Sequence, residues 1–219
     1  MGYRAETIEA LSRAGFATSA ELPEELDPAL AEVRPAREIA RRLMTLEVLF
    51  SWAGAPEDAM SCARLKAYVK RSDLEGEMSE EELELWQTDR EGAQDEHGDS
   101  IDWLLEELWP LAWALGYSRA PGITTGLIPD DVIQEIFYQF LPGLDGAVDS
   151  FAAKCELRSL GDLLAGHDLL TCALAVSTRA KEGRKLPAEF APARDNDVLA
   201  ARLRAVRFCL TPDLDWEDA

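Results

Sequence analysis

Trp103 to Gly116 reads WLLEELWPLAWALG, a stretch with three of the chain's six tryptophans and apolar residues at nearly every position. At 100° per residue, Ile101, Leu104, Leu105, Leu108, Leu111, Ala112 and Leu115 share one broad helical face, and Trp103, Trp109, Pro110 and Trp113 form a second around Glu106. A helix apolar on both faces belongs in the middle of a fold, with only a narrow strip near Glu107 left for water. Pro110 removes the hydrogen bond to the Glu106 carbonyl, and a bend is expected there.

Helical periodicity continues on both sides of this stretch, and no run of alternating β-branched residues competes with it. The fold class read from the chain is all-α, a multi-helix bundle around the Trp-rich helix, and the 219 residues read as one domain. Residues 1–33 form an N-terminal helix, about Arg4 to Ala14, and a Pro-containing arm. Pro35 suits the first turn of the next helix, which runs to about Ala53 with Ile39, Leu43, Leu46 and Phe50 inward. A third helix is expected from about Pro56 to Arg71, and a short fourth opens with the capping-box pair Ser79 and Glu82. Thr88 to Asp99 reads as a polar loop. Beyond the loop at Pro121 to Gly126, helices are expected at about Pro129 to Leu141 and Gly146 to Cys155. Ser159 and Asp162 cap a long apolar helix ending near Gly183 with Lys181 in its last turn, and the last helix spans about Asp197 to Leu210.

The formal net charge of -20, from 42 acidic and 22 basic residues, repels nucleic acid and anionic membranes on average and attracts a basic protein surface. Cys62, Cys155, Cys172 and Cys209 form no C-x-x-C pair and no zinc spacing, so reduced thiols in a cytoplasmic protein are expected. The N-terminus lacks the apolar run of a signal peptide, and no stretch reads as long and apolar enough to span a bilayer.

Several segments, in order, resemble a family of bacterial proteins known only as a domain of unknown function, DUF4272. They are RPAREIARRLMTL at Arg34 to Leu46, the Trp103 to Gly116 stretch, LRSLGDLLAGHDL at Leu157 to Leu169, and the ending RAVRFCLTPDLDWEDA. Positions matching the family pattern are Arg37, Glu38, Arg41 or Arg42, Trp103, Glu106, Trp113, Arg158, Asp162, Asp168 and Arg202. The chain departs from the pattern after Asp168, where Thr171, Cys172, Leu174 and Ala175 replace an Arg and a His-Trp pair. It departs again at Arg207 and Phe208, which replace an Asn-Trp pair. The resemblance implies a helical fold and a bacterial source, and no activity.

Glu106 stands among tryptophans, where an unpaired carboxylate is costly, so arginine partners are expected. Arg37, Arg41, Arg158, Arg202 and Asp168 are the candidates for a buried polar network with it. His167 and Asp168 on the long helix would supply a base in an enzyme, but the leucines around His167 favour a core or boundary histidine. Asp95, Glu96, His97 and Asp99 could gather a cation, although one histidine and no second ligand cluster favour a solvated acidic loop. No cofactor and no metal are expected.

Charge segregation is the clearest signal outside the core. From Asp73 to Glu107 there are 15 acidic residues against Arg90 alone. The leading reading is an acidic protein-protein interaction module that binds through Glu80, Glu81, Glu84, Asp95 and Glu96, with an immunity-type inhibitor as its sharpest form. An enzyme with a cleft around Glu106, Arg37, Arg158 and Asp168 is the alternative, and a scaffolding subunit is a third reading.

Overall fold

The computed structural model describes residues 3–18, 22–97, 101–124, 126–179 and 186–219. Its elements are helices α1 (Tyr3–Ala14), α2 (Ala36–Gly54), α3 (Cys62–Ser72), α4 (Glu80–Gln87), α5 (Arg90–His97) and α6 (Trp103–Ala114), followed by α7 (Asp130–Glu135), α8 (Val148–Ala152), α9 (Leu160–Arg179) and α10 (Pro192–Leu210). The chain is all-α, and no strand occurs among the described residues.

The Trp-rich stretch forms α6, which packs against α2 on one side and α10 on the other and continues through Pro110. Gly116 ends it in a Schellman arrangement, with Tyr117 N–H donating to the Ala112 carbonyl and Gly116 N–H to that of Trp113. Two constraints make that glycine necessary: its φ is +110°, and an added Cβ would lie 2.8 Å from the Glu156 carbonyl oxygen. On α9, Gly166 leaves room for the Trp113 indole, whose nearest ring carbon would be 2.9 Å from a Cβ there.

The expected water-facing strip at Glu107 is not found, because Arg204 of α10 reaches over α6 and pairs with that carboxylate, leaving it buried. Helix α2 is likewise buried over most of its surface, with Leu43, Met44, Leu46 and Leu49 inaccessible to solvent.

The polar stretch read as a loop is largely helix α5. Asp89 accepts the Gly92 N–H at 2.9 Å, so the stretch carries its own N-terminal cap. Arg90 then inserts against the end of α2, donating to the carbonyls of Ser51, Ala55 and Met60 and to the Glu57 carboxylate. A buried arginine thereby satisfies carbonyls that a helix C-terminus leaves open.

Other boundaries shift for similar local reasons. Helix α3 begins at Cys62 rather than near Pro56, because the Ser61 hydroxyl caps it and Glu57 accepts the Cys62 N–H. The helix expected from Gly146 to Cys155 shortens to α8, and the one at Pro129 to Leu141 divides into α7 and a π-turn over Ile136–Phe140. Pro192 starts α10 earlier than Asp197. Both capping boxes form, at Ser79 with Glu82 and at Ser159 with Asp162. Lys181, Gly183 and Asp99 lie outside the described residues.

By length and composition α9 is apolar enough to cross a membrane, contrary to the sequence-based expectation. In this fold it packs against α1 and α10, and its Asp168 pairs with Arg4 of α1.

Glu47 of α2 is 4% exposed, and its Oε2 has no hydrogen-bond partner among the described residues. Burial pushes its carboxyl up to about 7, from an ordinary value of 4.5. The folded state therefore holds a proton that the unfolded chain has released, and stability attributable to Glu47 falls as pH rises from 4.5 through about 7. Glu47→Gln keeps the shape without the charge. We expect it to stabilise the protein by under about 1 kcal/mol at pH 5 and by roughly 3 kcal/mol at pH 8. Urea denaturation of both proteins at the two pH values checks this; an equal difference at both would show that Glu47 does not titrate on folding.

Candidate functional site

Two arginines of α10, two residues apart, meet two adjacent carboxylates of α6. Arg202 Nε and Nη2 donate to Glu106 Oε2 at 2.9 and 2.6 Å. Glu106 Oε1 accepts the Ile128 N–H at 2.6 Å. Arg202 also donates to the carbonyls of Gly122 and Gly126, at 2.5 and 2.7 Å, and lies 4.9 Å from the centre of the Trp109 ring. This pair therefore holds the backbone at Gly122, Gly126 and Ile128 against α6 and α10. Both side chains are excluded from solvent, 0% exposed for Glu106 and 1% for Arg202. Burial pushes the Glu106 carboxyl up and the Arg202 guanidinium down, each opposed by the charge of the other. With the Ile128 N–H and the Gly122 and Gly126 carbonyls around them, the charged pair is the form that the geometry favours.

Arg204, beside Glu107, also lies 5.0 Å from the Trp216 ring, and Arg42 of α2 lies 4.0 Å from the same ring. Arg42 pairs with Glu82 of α4 and donates to the Glu77 carbonyl at 2.9 Å. One turn earlier, counted from Glu38, Arg34 donates to the carbonyls of Phe208, Thr211 and Leu214 at 2.6–2.8 Å and stacks 3.7 Å from the Phe208 ring centre. The C-terminal segment is thus bound to α2 through Arg42 and to the residues just before α2 through Arg34. A cleft of about 490 Å³ opens there, bordered by Arg34, Arg42, Glu77, Glu80, Trp216 and Glu217.

The remaining candidates do not converge on Glu106. Arg37 is at the surface and pairs with Asp149 at 2.6 Å. Arg41 pairs with Glu77 at 2.6 Å and donates to the Ser72 carbonyl at 3.0 Å. Arg158 donates to the Tyr117 carbonyl at 2.8 Å, joining the end of α6 to the start of α9. Asp168 accepts two hydrogen bonds from Arg4, at 2.6 and 3.1 Å. The expected network is therefore one buried pair, Glu106 with Arg202, and four separate contacts. The cleft proposed around Glu106, Arg37, Arg158 and Asp168 does not form, since each cation has a nearer partner. His167 is half-buried, and burial holds its imidazole below the usual range. Arg4, Arg90 and Glu47 were not singled out from sequence; only Arg90, alone in an acidic run, carried a visible signal.

The acidic segment divides into two sets. Glu77, Glu82, Glu106 and Glu107 are paired with arginines. Glu80, Glu81, Glu84 and Asp95 are exposed, and none makes an ion pair among the described residues; Glu96, also exposed, lies 4.0 Å from His97. Between α4 and the start of α6 runs a groove of about 430 Å³ with Leu85, Ile101 and Leu104 along it and Glu81, Glu84 and His97 at its edges. No three described His, Cys, Asp or Glu side chains are grouped as metal ligands. All four cysteines are free, and burial pushes the thiols of Cys155 and Cys172 up to about 11 and that of Cys209 up to about 12.

The structure defines a helical protein in which arginine–carboxylate pairs are buried between helices, while α4 and α5 carry exposed carboxylates without an ion pair among the described residues. The chain belongs to the DUF4272 family, described as a domain of unknown function, whose family model matches residues 4–219. No curated protein and no solved structure matches it.

Removing either member of the Glu106–Arg202 pair leaves a buried charge uncompensated. Glu106→Leu and Arg202→Met are each expected to destabilise the protein by about 3–5 kcal/mol. The double variant Glu106→Leu/Arg202→Met removes both charges and should cost less than the sum of the single effects. Denaturation midpoints in urea measure all three; strictly additive losses would show that the two side chains do not interact.

Proposed function

We propose that the protein acts by binding another protein that presents a basic surface, through the exposed carboxylates of α4 and α5. The observation that carries this reading is the division of the acidic segment. Buried carboxylates there have arginine partners, while Glu80, Glu81, Glu84 and Asp95 have none within ion-pair distance among the described residues. Neighbouring like charges repel one another, and a cationic partner relieves that repulsion while gaining a long-range attraction during encounter. The same negative field disfavours nucleic acid and anionic membrane as partners. An inhibitor covering the basic site of a toxin or nuclease is the form of partnership this charge suits best.

The enzyme reading finds no support at Glu106. Its carboxylate is sealed from solvent and occupied by Arg202 and the Ile128 N–H, so neither oxygen is free to exchange a proton with a substrate.

The test compares wild type with a variant in which Glu80, Glu81, Glu84, Asp95 and Glu96 are all lysine. Proteins retained from a lysate of the source cells are identified by mass spectrometry, and the association rate of the retained partner is measured against salt. We expect the partner to be lost by the variant and its on-rate on wild type to fall steeply as the Debye length shortens to about 8 Å near physiological ionic strength. An on-rate unchanged by charge reversal, with helicity intact, would assign the carboxylates to solubility alone.

A further inference from the structure

We infer that the groove between α4 and the start of α6 is the seat of that partner, and that its occupant is a basic amphipathic helix. This inference rests on the protein-binding reading above and adds the chemistry of the segment recognised. Charge alone would draw any cation to the surface, but the groove combines charge with an apolar wall. Leu85 comes from α4, Ile101 from just before α6 and Leu104 from its first turn; Leu85 and Ile101 form the buried floor, 7% and 6% exposed, and Leu104 is partly open to solvent. Glu81 and Glu84, both exposed and without an ion pair among the described residues, stand on the α4 edge three residues apart, one helical turn, and Glu81 also feels the charge of Arg204 at longer range.

Glu82, the other carboxylate of that edge, is held by Arg42, so the groove is anchored to α2 through α4. An occupant must place apolar side chains against the leucine and isoleucine wall and cationic side chains against Glu81 and Glu84. A helix with leucine-like residues at i, i+3, i+4 and i+7, flanked by lysine or arginine, meets both demands at once. The stems of those cations would also cover apolar surface while their charges stay in water.

Three fluorescein-labelled peptides of about four helical turns test this against the full chain. One is a Leu/Lys amphipathic helix, the second has the same composition shuffled to destroy the apolar face, and the third replaces Lys with Glu. Fluorescence anisotropy at low salt is expected to show the amphipathic basic peptide binding about tenfold tighter than the shuffled one, as the burial of a few methylene groups implies. The acidic peptide should not bind.

On the wild-type protein, the methyl resonances of Leu85, Ile101 and Leu104 should shift when the amphipathic peptide is added. The variant Leu104→Ser, checked for helicity by circular dichroism, should lose the preference for the amphipathic order while keeping the charge-dependent part of binding. Equal affinity for the two basic peptides, or unshifted methyls at saturation, would overturn the groove and leave the acidic-surface reading standing. No binding of either basic peptide at low salt would overturn both.

Discussion

Two carboxylates on the most apolar helix of the chain determine how the rest must be arranged. Glu106 and Glu107 are drawn into the interior with α6, where an uncompensated negative charge is unfavourable by several kcal/mol even after relaxation. The fold meets this with Arg202 and Arg204, two residues apart on α10. The requirement fixes which side of α10 faces α6. Through the additional donors of Arg202, it also fixes where the chain passes at Gly122 and Gly126. Trp109 completes the arrangement by lying beside the Arg202 guanidinium while its own N–H donates to the Arg119 carbonyl.

The arginines near the N-terminal end of α2 do comparable work for the C-terminal segment. Arg34 gathers three carbonyls just beyond and within the last turn of α10, and Arg42 and Arg204 lie close to the Trp216 ring. Segments that resembled the family pattern as separate sequence blocks, the arginine helix and the Asp-Trp-acidic ending, therefore meet in space. Their shared role in this structure is to hold the C-terminal segment and α4 against α2. A buried guanidinium suits that role because its planar fork can donate to several carbonyls at once.

What was legible in the sequence followed from local rules. The apolar periodicity of α2, α6 and α9, the capping boxes at Ser79 and Ser159, and the need for an arginine near Glu106 all depend on residues within a few positions of one another. The choice of arginine does not. Arg202 is 96 positions from Glu106, and periodicity gives no reason to prefer it over Arg37 or Arg158, which turn out to hold Asp149 and a helix end. Helix α5 was missed because polarity and glycine suggested a loop; its stability comes from Asp89 at its start and from Arg90, whose partners lie on α2 and at Met60. Glu47 gave no sign at all, since an exposed helical glutamate has the same local pattern.

The acidic segment shows why composition is an incomplete guide to a binding surface. It holds 15 carboxylates, yet those at Glu77, Glu82, Glu106 and Glu107 belong to the interior or its boundary and are paired with arginines of α2 and α10. Packing has thus sorted the charges: the committed ones hold α4 and α6 in place, and the uncommitted ones are left facing outward from that rigid support. Because Arg42 holds Glu82, the backbone carrying Glu81 and Glu84 is tied to α2, and under the proposed protein-binding function little ordering of that backbone would remain to oppose association. A charged surface on a floppy segment would lose much of its attraction to the entropy of ordering; one braced by buried ion pairs keeps it.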